Sequence, residues 1–563
     1  MAPAMGGEDS RYDRIVAKPR RRRMVGWYDP GQLLSTGVEV LISLALGQRS
    51  DYRTLQSVGE PQGLFDYTQV DQRERRDLWF DYMADTGDGW DATFAMACLV
   101  SEPSLSWRGR PLHRGEFLII GGDEVYPVAS KRGYQERLVE PLTAAFPGNR
   151  SDGSPQLYAI PGNHDWYDGL VSFSRLFMRG RFVAGWRTMQ ARSYFALKLP
   201  HRWWLWAVDV QLESDIDPGQ FEYFRALASA EAPDGLRPGD RVILATAEPD
   251  WLYRDIKDPR VESNLGFLEK KIIEPAGARV HVWVAGDVHN YRRHENTRDE
   301  NYQRIVSGGG GAYLAPTHTP MFGPAATSLK RVVRIGDEVF RQRFAYPNPA
   351  TSFRLSLMNV LFLLRNWRFG LFSGLAYCAI AWGPVPPSWP RQVVGSALEQ
   401  EPIRLVWLAL VLAAFIFYAD WEFPVFRWVG GALHAVAHIT AAFAIARLAA
   451  VHCVGHGVLG ELCRVGTLFV GGALVGPLLL GLYLLVSSTV VGAHSDHAFA
   501  ALRIPDFKHF LRFYIGHDGV LEIFPIGIPR VPRGKGAGTQ YMVLEGPIRI
   551  TPAAAAPPPA RSR

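Results

Sequence analysis

The residues best suited to chemistry fall in four short clusters: Asp85-Thr86-Gly87-Asp88-Gly89, Gly122-Asp123, Gly162-Asn163-His164-Asp165 and Gly286-Asp287-Val288-His289. Carboxylates, imidazoles and an amide oxygen in this order suit a two-cation site. Such a site needs a carboxylate bridging two ions roughly 3.5–4 Å apart, terminal O/N ligands, and an acid for the leaving group. An Asn amide oxygen ligates a hard cation without adding charge, and the His beside it can give a proton to a departing oxygen.

These clusters need elements to bring them together, and apolar runs precede them. Phe117–Ile120 leads into Gly121-Gly122-Asp123, Leu157–Ile160 into the Asn163-His164 turn, and His281–Val284 into Gly286-Asp287-Val288-His289. Val242–Leu244 likewise leads to Glu248. Trp203–Val208 leads to Asp209, which reads as a turn or helix cap because no cluster surrounds it. With helix-like segments between them, as at Arg132–Ala145 and Gln220–Ala230, these runs predict an α/β sheet over residues 76–345 with its site along one edge. Ser307-Gly308-Gly309-Gly310-Gly311 lacks the following Lys-Ser/Thr of a P-loop. It reads as backbone passing close to the site, with His318 a further candidate beyond it.

The motifs GGDEVYP and GNHDWYD, with the order of the other clusters, resemble the calcineurin-like metallophosphoesterase family over roughly residues 80 to 320. The resemblance implies a four-layer α-β-β-α sandwich and hydrolysis of a phosphomonoester or phosphodiester by metal-activated water. It implies Asp123 as the bridging ligand, Asn163 as a ligand of the second metal, His164 as proton donor, and Asp85 and His289 on the first metal. Three positions depart from the family pattern. Gly87 replaces a His, with Asp88 as a possible stand-in; Asp287 replaces another; Glu248 stands where a lone His is expected. Extra oxygen ligands favour Mn²⁺ or Mg²⁺ as the two divalent ions, with Fe next and Zn²⁺ less suited.

The chain has 563 residues, 47% of them hydrophobic and 21% charged, too many for one ordinary domain. Residues 1–75 are polar and Arg-rich and read as an extension of low order or a partial cap. After about residue 350 come four candidate spans, Phe369–Val385, Leu405–Ala419, Trp428–Ala446 and Val465–Ala493. Arg354, Arg365 and Arg368 before the first of them place the preceding domain in the cytoplasm by the positive-inside tendency. The chain thus reads as a multi-pass protein of the cell membrane, and 346–493 as its membrane domain. Residues 494–545 read as an accessory module, with Asp506–Ile515 helix-like and Val520–Ile528 strand-like, and 546–563 as a disordered tail. His434 and His438 share a helix face and read as a neutral hydrogen-bonded pair.

Net charge is +6, and the run Lys18-Pro19-Arg20-Arg21-Arg22-Arg23 points to a solvated tail or lipid headgroups rather than nucleic acid. Four cysteines without CxxC spacing argue against a zinc ribbon; Cys453 and Cys463 share one loop and are expected as free thiols, or as a pair if that loop faces an oxidising space. The expected partners are a phosphoester, lipid-linked or delivered at the membrane surface, and the bilayer itself. The rival reading is a metal-binding, catalytically weak sensory or scaffold membrane protein.

Overall fold

Two mixed β-sheets lie face to face, each backed by helices. The computed structural model describes residues 21–47, 62–70, 73–148, 151, 153–210, 216–257, 263–322, 329–381, 402–419, 424–453, 455, 457–532 and 540–551. The first sheet is centred on parallel strands β1 (Leu78–Met83), β2 (Phe117–Ile120) and β3 (Gln156–Ala159). The second runs through β4 (Phe195–Leu199), β5 (Trp203–Val208), β6 (Arg241–Thr246), β7 (Arg279–Ala285), β8 (Tyr291–Asn296), β9 (Gln303–Ser307) and β10 (Glu338–Tyr346). Within it β5, β6, β7 and β9 are parallel neighbours.

Alternate side chains of a strand point to opposite faces, and β1 uses both. Leu78, Phe80 and Tyr82 enter the core between the sheets, shared with Leu205, Ile243 and Val284 of the second sheet. Trp79 and Met83 enter the core under the helix Trp90–Ser101. Beyond the second sheet, Trp204, Trp206 and Leu244 join Phe224 and Leu268 of the helices Pro218–Ala228 and Asn264–Leu268. The layers are therefore α-β-β-α. Strands covered on both faces read as apolar runs without alternation.

The carboxyl end departs from expectation. Asp506–Ile515 holds not a helix but strand β11 (Lys508–Ile515), which pairs antiparallel with β1, and β12 (Leu521–Ile528) pairs with β11 in turn. Ile548–Ile550, inside the tail expected to be disordered, pairs with β12. The segment is not a detached module, because its strands complete the first sheet. The reason is composition. Phe510 joins the outer core while Leu511, Phe513 and Ile515 join the inner one, so no single period is visible, and aromatic residues favour a pleated, buried surface. Residues 1–20 and 552–563 lie outside the described residues.

The amino-terminal extension is partly built into the fold. Phe65–Asp66 adds an edge strand beside β4. Residues 22–28 lie across the ends of the site strands, with the Val25 N–H donating to Asp88 Oδ1 at 2.7 Å and the Trp90 N–H to the Arg22 carbonyl at 3.1 Å.

The intervening chain forms helices α1 (Trp367–Ile380), α2 (Pro402–Tyr418), α3 (Pro424–His452) and α4 (Val458–Val486). Among the described residues two helices, α3 and the one that begins at Val458, are long and apolar enough to cross a membrane. With 14 and 17 residues, α1 and α2 are shorter than the roughly 20 typical of a span. The end of the expected span Phe369–Val385 lies outside the described residues. Gly472 and Gly476 let α1 approach α4 closely, and Ser373 Oγ donates to the Gly472 carbonyl at 3.0 Å. Leu375, Trp407, Leu410, Leu433, Leu474 and Leu478 form an exposed apolar belt around the bundle.

His434 and His438 meet through their Nε2 atoms at 3.1 Å, and the Tyr377 hydroxyl lies 2.9 Å from His438 Nδ1, so the pair is held by polar contacts within the bundle. Cys453 and Cys463 are not free thiols. The end of α3 and the start of α4 bring their Cα atoms within 5.7 Å, and they form a disulfide.

Candidate metal centre

Because β1, β2, β3, β6 and β7 run parallel to a neighbour, the loops that carry the candidate residues leave the sheets along one edge. Asp85, Asp123 and Asp287 each take a positive φ, at 57°, 51° and 66°, a region that Asp tolerates better than most residues. Backbone bonds tie these turns together: the Asp85 N–H donates to the Gly122 carbonyl at 2.9 Å, and the Thr86 N–H to the Asp123 carbonyl at 3.0 Å. Gly162 is needed for close approach, since a Cβ there would overlap Asp123 Oδ1. Gly308 passes equally close to Asp85 Oδ2, as the glycine run predicts.

Asp85, Asp123 and His289 are buried, and each offers a ligand atom within 4.8 Å of the others. The Tyr126 hydroxyl stands among them, 3.0 Å from Asp85 Oδ1, 3.0 Å from Asp123 Oδ2 and 2.9 Å from His289 Nε2. Sequence reasoning quoted Tyr126 within GGDEVYP but gave it no role. Its signal was an aromatic residue with a polar tip three positions after the strand-end Asp. The Asn163 amide lies 3.1 Å from both Asp123 carboxylate oxygens; turned one way it donates to them, turned the other its oxygen faces the same space.

His164 is fixed by two contacts. Its N–H donates to Asp123 Oδ1 at 3.0 Å, and its Nδ1 lies 2.6 Å from the Pro127 carbonyl. That carbonyl can only accept, so Nδ1 carries a proton and Nε2 is left for the site. The Asp287 N–H donates to Asp85 Oδ1 at 3.1 Å, and Asp287 Oδ2 accepts from the Tyr253 hydroxyl at 2.5 Å. Glu248 is not part of the Asp-Asp-His group; it sits half-buried past the end of β6 and acts with Asp287 on the Tyr253 phenol.

Two candidates serve other ends. Asp88 accepts from the Val25 N–H at 2.7 Å and the Tyr313 N–H at 3.1 Å, so it pins the amino-terminal segment instead of standing in for a histidine ligand. His318 Nδ1 lies 2.8 Å from Ser352 Oγ and its ring packs on Phe353 and Phe499, away from the cluster.

The donor set fits a divalent cation. Burial, then Asp123 and Asp287, pushes Asp85 well above the usual carboxylate range, and burial also raises Asp123. Burial and Asp123 lift Asp287 to about 6, while burial pulls His289 down to about 3, leaving a neutral imidazole. Crowded carboxylates short of positive charge, with Asp85 Oδ2 buried and unpartnered among the described residues, are what a bound cation relieves. Tyr126→Phe is expected to weaken Mn²⁺ binding by roughly 10–100-fold, as loss of an orienting partner does elsewhere. A Mn²⁺ titration followed by electron paramagnetic resonance checks this, and unchanged affinity would place the phenol outside the ion's surroundings.

No protein-family model and no curated protein matches the chain. Similar solved structures include GAP50, the anchor in the inner membrane complex of Plasmodium, at 13% identity and TM-score 0.32, covering 48% of this chain and 78% of that one. PhoD is similar at 11% identity and TM-score 0.28, covering 45% of this chain and 60% of that one. Purple acid phosphatase PPD1 from yellow lupin (Lupinus luteus) seeds is similar at 14% identity and TM-score 0.29, covering 47% of each chain. At TM-scores this low, the reading of the site rests on its own geometry.

Proposed function

We propose that this chain is a membrane-embedded, metal-dependent phosphoesterase acting on a phosphomonoester or phosphodiester. The observation that carries the reading is the convergence of Asp85, Asp123 and His289 around the Tyr126 hydroxyl, with His164 fixed beside them. Asp85 and His289 would hold a first ion, Asp123 would bridge, and Asn163, Glu248 and Asp287 would serve a second, with Mn²⁺ or Mg²⁺ suiting the oxygen-rich set. Such ions, when bound, acidify water and stabilise the charge that develops on phosphoryl oxygens.

The protein's own groups do the rest. Asp123 Oδ1 holds the His164 backbone N–H and the Pro127 carbonyl holds ring Nδ1, so that the protonated ring can give its Nε2 proton to the leaving oxygen. The Trp27 ring, 5.9 Å from the His164 ring, covers this group and limits water. His164→Ala is expected to lower turnover of bis-p-nitrophenyl phosphate by roughly 10²–10⁴-fold with Mn²⁺ content unchanged. Equal turnover in the variant would take the acid role from His164. The reading as a whole is tested by hydrolysis of the same diester by purified protein with Mn²⁺ or Mg²⁺ against a chelated sample.

The proposed membrane placement is supported by the sheet. β1 and β11 lie in one sheet but flank the bundle in sequence, so any crossings between them must be even in number. Arg354, Arg365 and Arg368 favour the cytoplasm for the sheet side. The Cys453–Cys463 disulfide, at the end of the bundle away from the sheets, suits an oxidising compartment opposite. One observation favours the sensory or scaffold reading: the Tyr126 hydroxyl itself stands within 3.0 Å of a ligand atom on each of Asp85, Asp123 and His289. Metal binding without turnover in the assay above would establish it.

A further inference from the structure

Where the bundle meets the sheets, a cavity of ≈ 660 Å³ opens between α1, α2 and the amino-terminal segment. Its walls are overwhelmingly apolar, contributed by Phe369, Ala376, Ile380, Val411, Ala414 and Phe415 among others. Its size falls within the range of small-molecule sites, about 300–1,000 Å³. Two features say what fills it.

The first is its inner wall. Trp27 and Tyr313 line the cavity, with ring centroids 6.1 Å apart, and both also touch the candidate metal centre. Trp27 lies 5.9 Å from the His164 ring and 6.4 Å from the Tyr126 ring, and Tyr313 lies 4.6 Å from the His289 ring. The Trp27 indole N–H is buried there with no hydrogen-bond partner among the described residues, a donor in want of an acceptor such as a phosphoryl oxygen. The second feature is the outer rim. Leu33 and Phe372 line the cavity yet are 48% and 53% exposed, and Phe372 continues into the apolar belt through Leu371 and Leu375. The cavity therefore connects the belt, from the side, with the wall of the metal centre.

We infer that this chamber holds the hydrocarbon chain of a lipid phosphoester that enters sideways from the bilayer, with its phosphate presented past Trp27 and Tyr313 to the metal centre. The inference rests on the phosphoesterase reading and adds the substrate class to it. A soluble phosphoester has no use for an apolar chamber adjoining the site. A partner helix would cover the rim but would not account for the unpaired indole N–H at the far end.

The test uses the full chain in detergent with Mn²⁺ and a series of alkyl p-nitrophenyl phosphate diesters with methyl, butyl and octyl chains. For wild type, kcat/KM is expected to rise along the series, by up to roughly fourfold per methylene buried. Ala414→Trp and Ala376→Trp, which fill the chamber, are each expected to lower the octyl-to-methyl ratio at least tenfold. Partition of the substrates into micelles is common to all three proteins and leaves this comparison intact. Hydrolysis of the methyl ester by each variant reports that it is folded, and the two substitutions lie on different helices. A flat series in wild type, or variants that keep the wild-type ratio, would overturn the lipid inference and leave the phosphoesterase reading standing. Absence of any Mn²⁺-dependent hydrolysis of the methyl ester by wild type would overturn both.

Discussion

Asp123→Ala is expected to strip the protein of tightly held Mn²⁺ and to lower phosphodiester turnover by about three orders of magnitude or more, the largest functional effect of any single change. The argument rests on how many groups meet at this carboxylate. One oxygen accepts the His164 N–H and the other the Tyr126 hydroxyl, and the Asn163 amide stands 3.1 Å from both. Removing it takes away the ligand proposed to be shared, leaves the half-buried His164 N–H without that acceptor, and frees His164 from one of its two fixed contacts. Asp123→Asn separates these effects. It keeps the shape and one acceptor but loses the charge, so metal content should fall while the thermal midpoint stays near wild type. Metal analysis of dialysed protein together with diester hydrolysis reads both. Full metal retention in Asp123→Asn would remove this residue from the ligand set.

The largest effect on stability is expected from Arg512→Met. Arg512 of β11 and Asp81 of β1 are cross-strand partners, both essentially without solvent exposure. The guanidinium donates to Asp81 Oδ1 at 2.7 Å and Oδ2 at 3.0 Å, and to the carbonyls of Leu112 and Val100. Burial outweighs the guanidinium in raising Asp81 above the usual carboxylate range, so the pair has a large desolvation cost built in. Losing one member strands the other, at roughly 3–5 kcal/mol, which for a domain of this size lowers the midpoint by about 10 °C. The double variant Arg512→Met with Asp81→Leu should recover most of that loss, because two apolar groups need no partner. If the double variant is as unstable as the single one, the pair is not the source of the effect.

Much of the two-sheet half was legible because its signals are local. A strand that ends in Gly-Asp or Gly-Asn-His announces both the element and the residue it presents, and Asp85, Asp123, His164 and His289 are brought together as those turns suggest. What escaped notice depends on distant parts of the chain. Asp88 resembles a ligand in sequence, but its partners are backbone groups of Val25 and Tyr313, far away on either side. Tyr126 looks like an ordinary aromatic until its hydroxyl is seen among three ligand atoms. β11 looked helical because both of its faces are buried, and only the Arg512–Asp81 register reveals where it belongs. The disulfide stood only as an alternative to free thiols for a related reason: its geometry is set by where two long helices end, not by the spacing of the cysteines.

The partnership between Asp81 and Arg512 spans 431 residues. During synthesis at roughly 5–20 residues per second, tens of seconds separate the emergence of β1 from that of its neighbour. Throughout that interval the helical bundle is being made while the edge of β1 waits bare. An unpaired edge is a template for the wrong partner, so mispairing along β1 is open throughout this stretch of synthesis. Completion of the first sheet thus waits on strands made after the bundle: until β11 is delivered, β1 keeps an open edge.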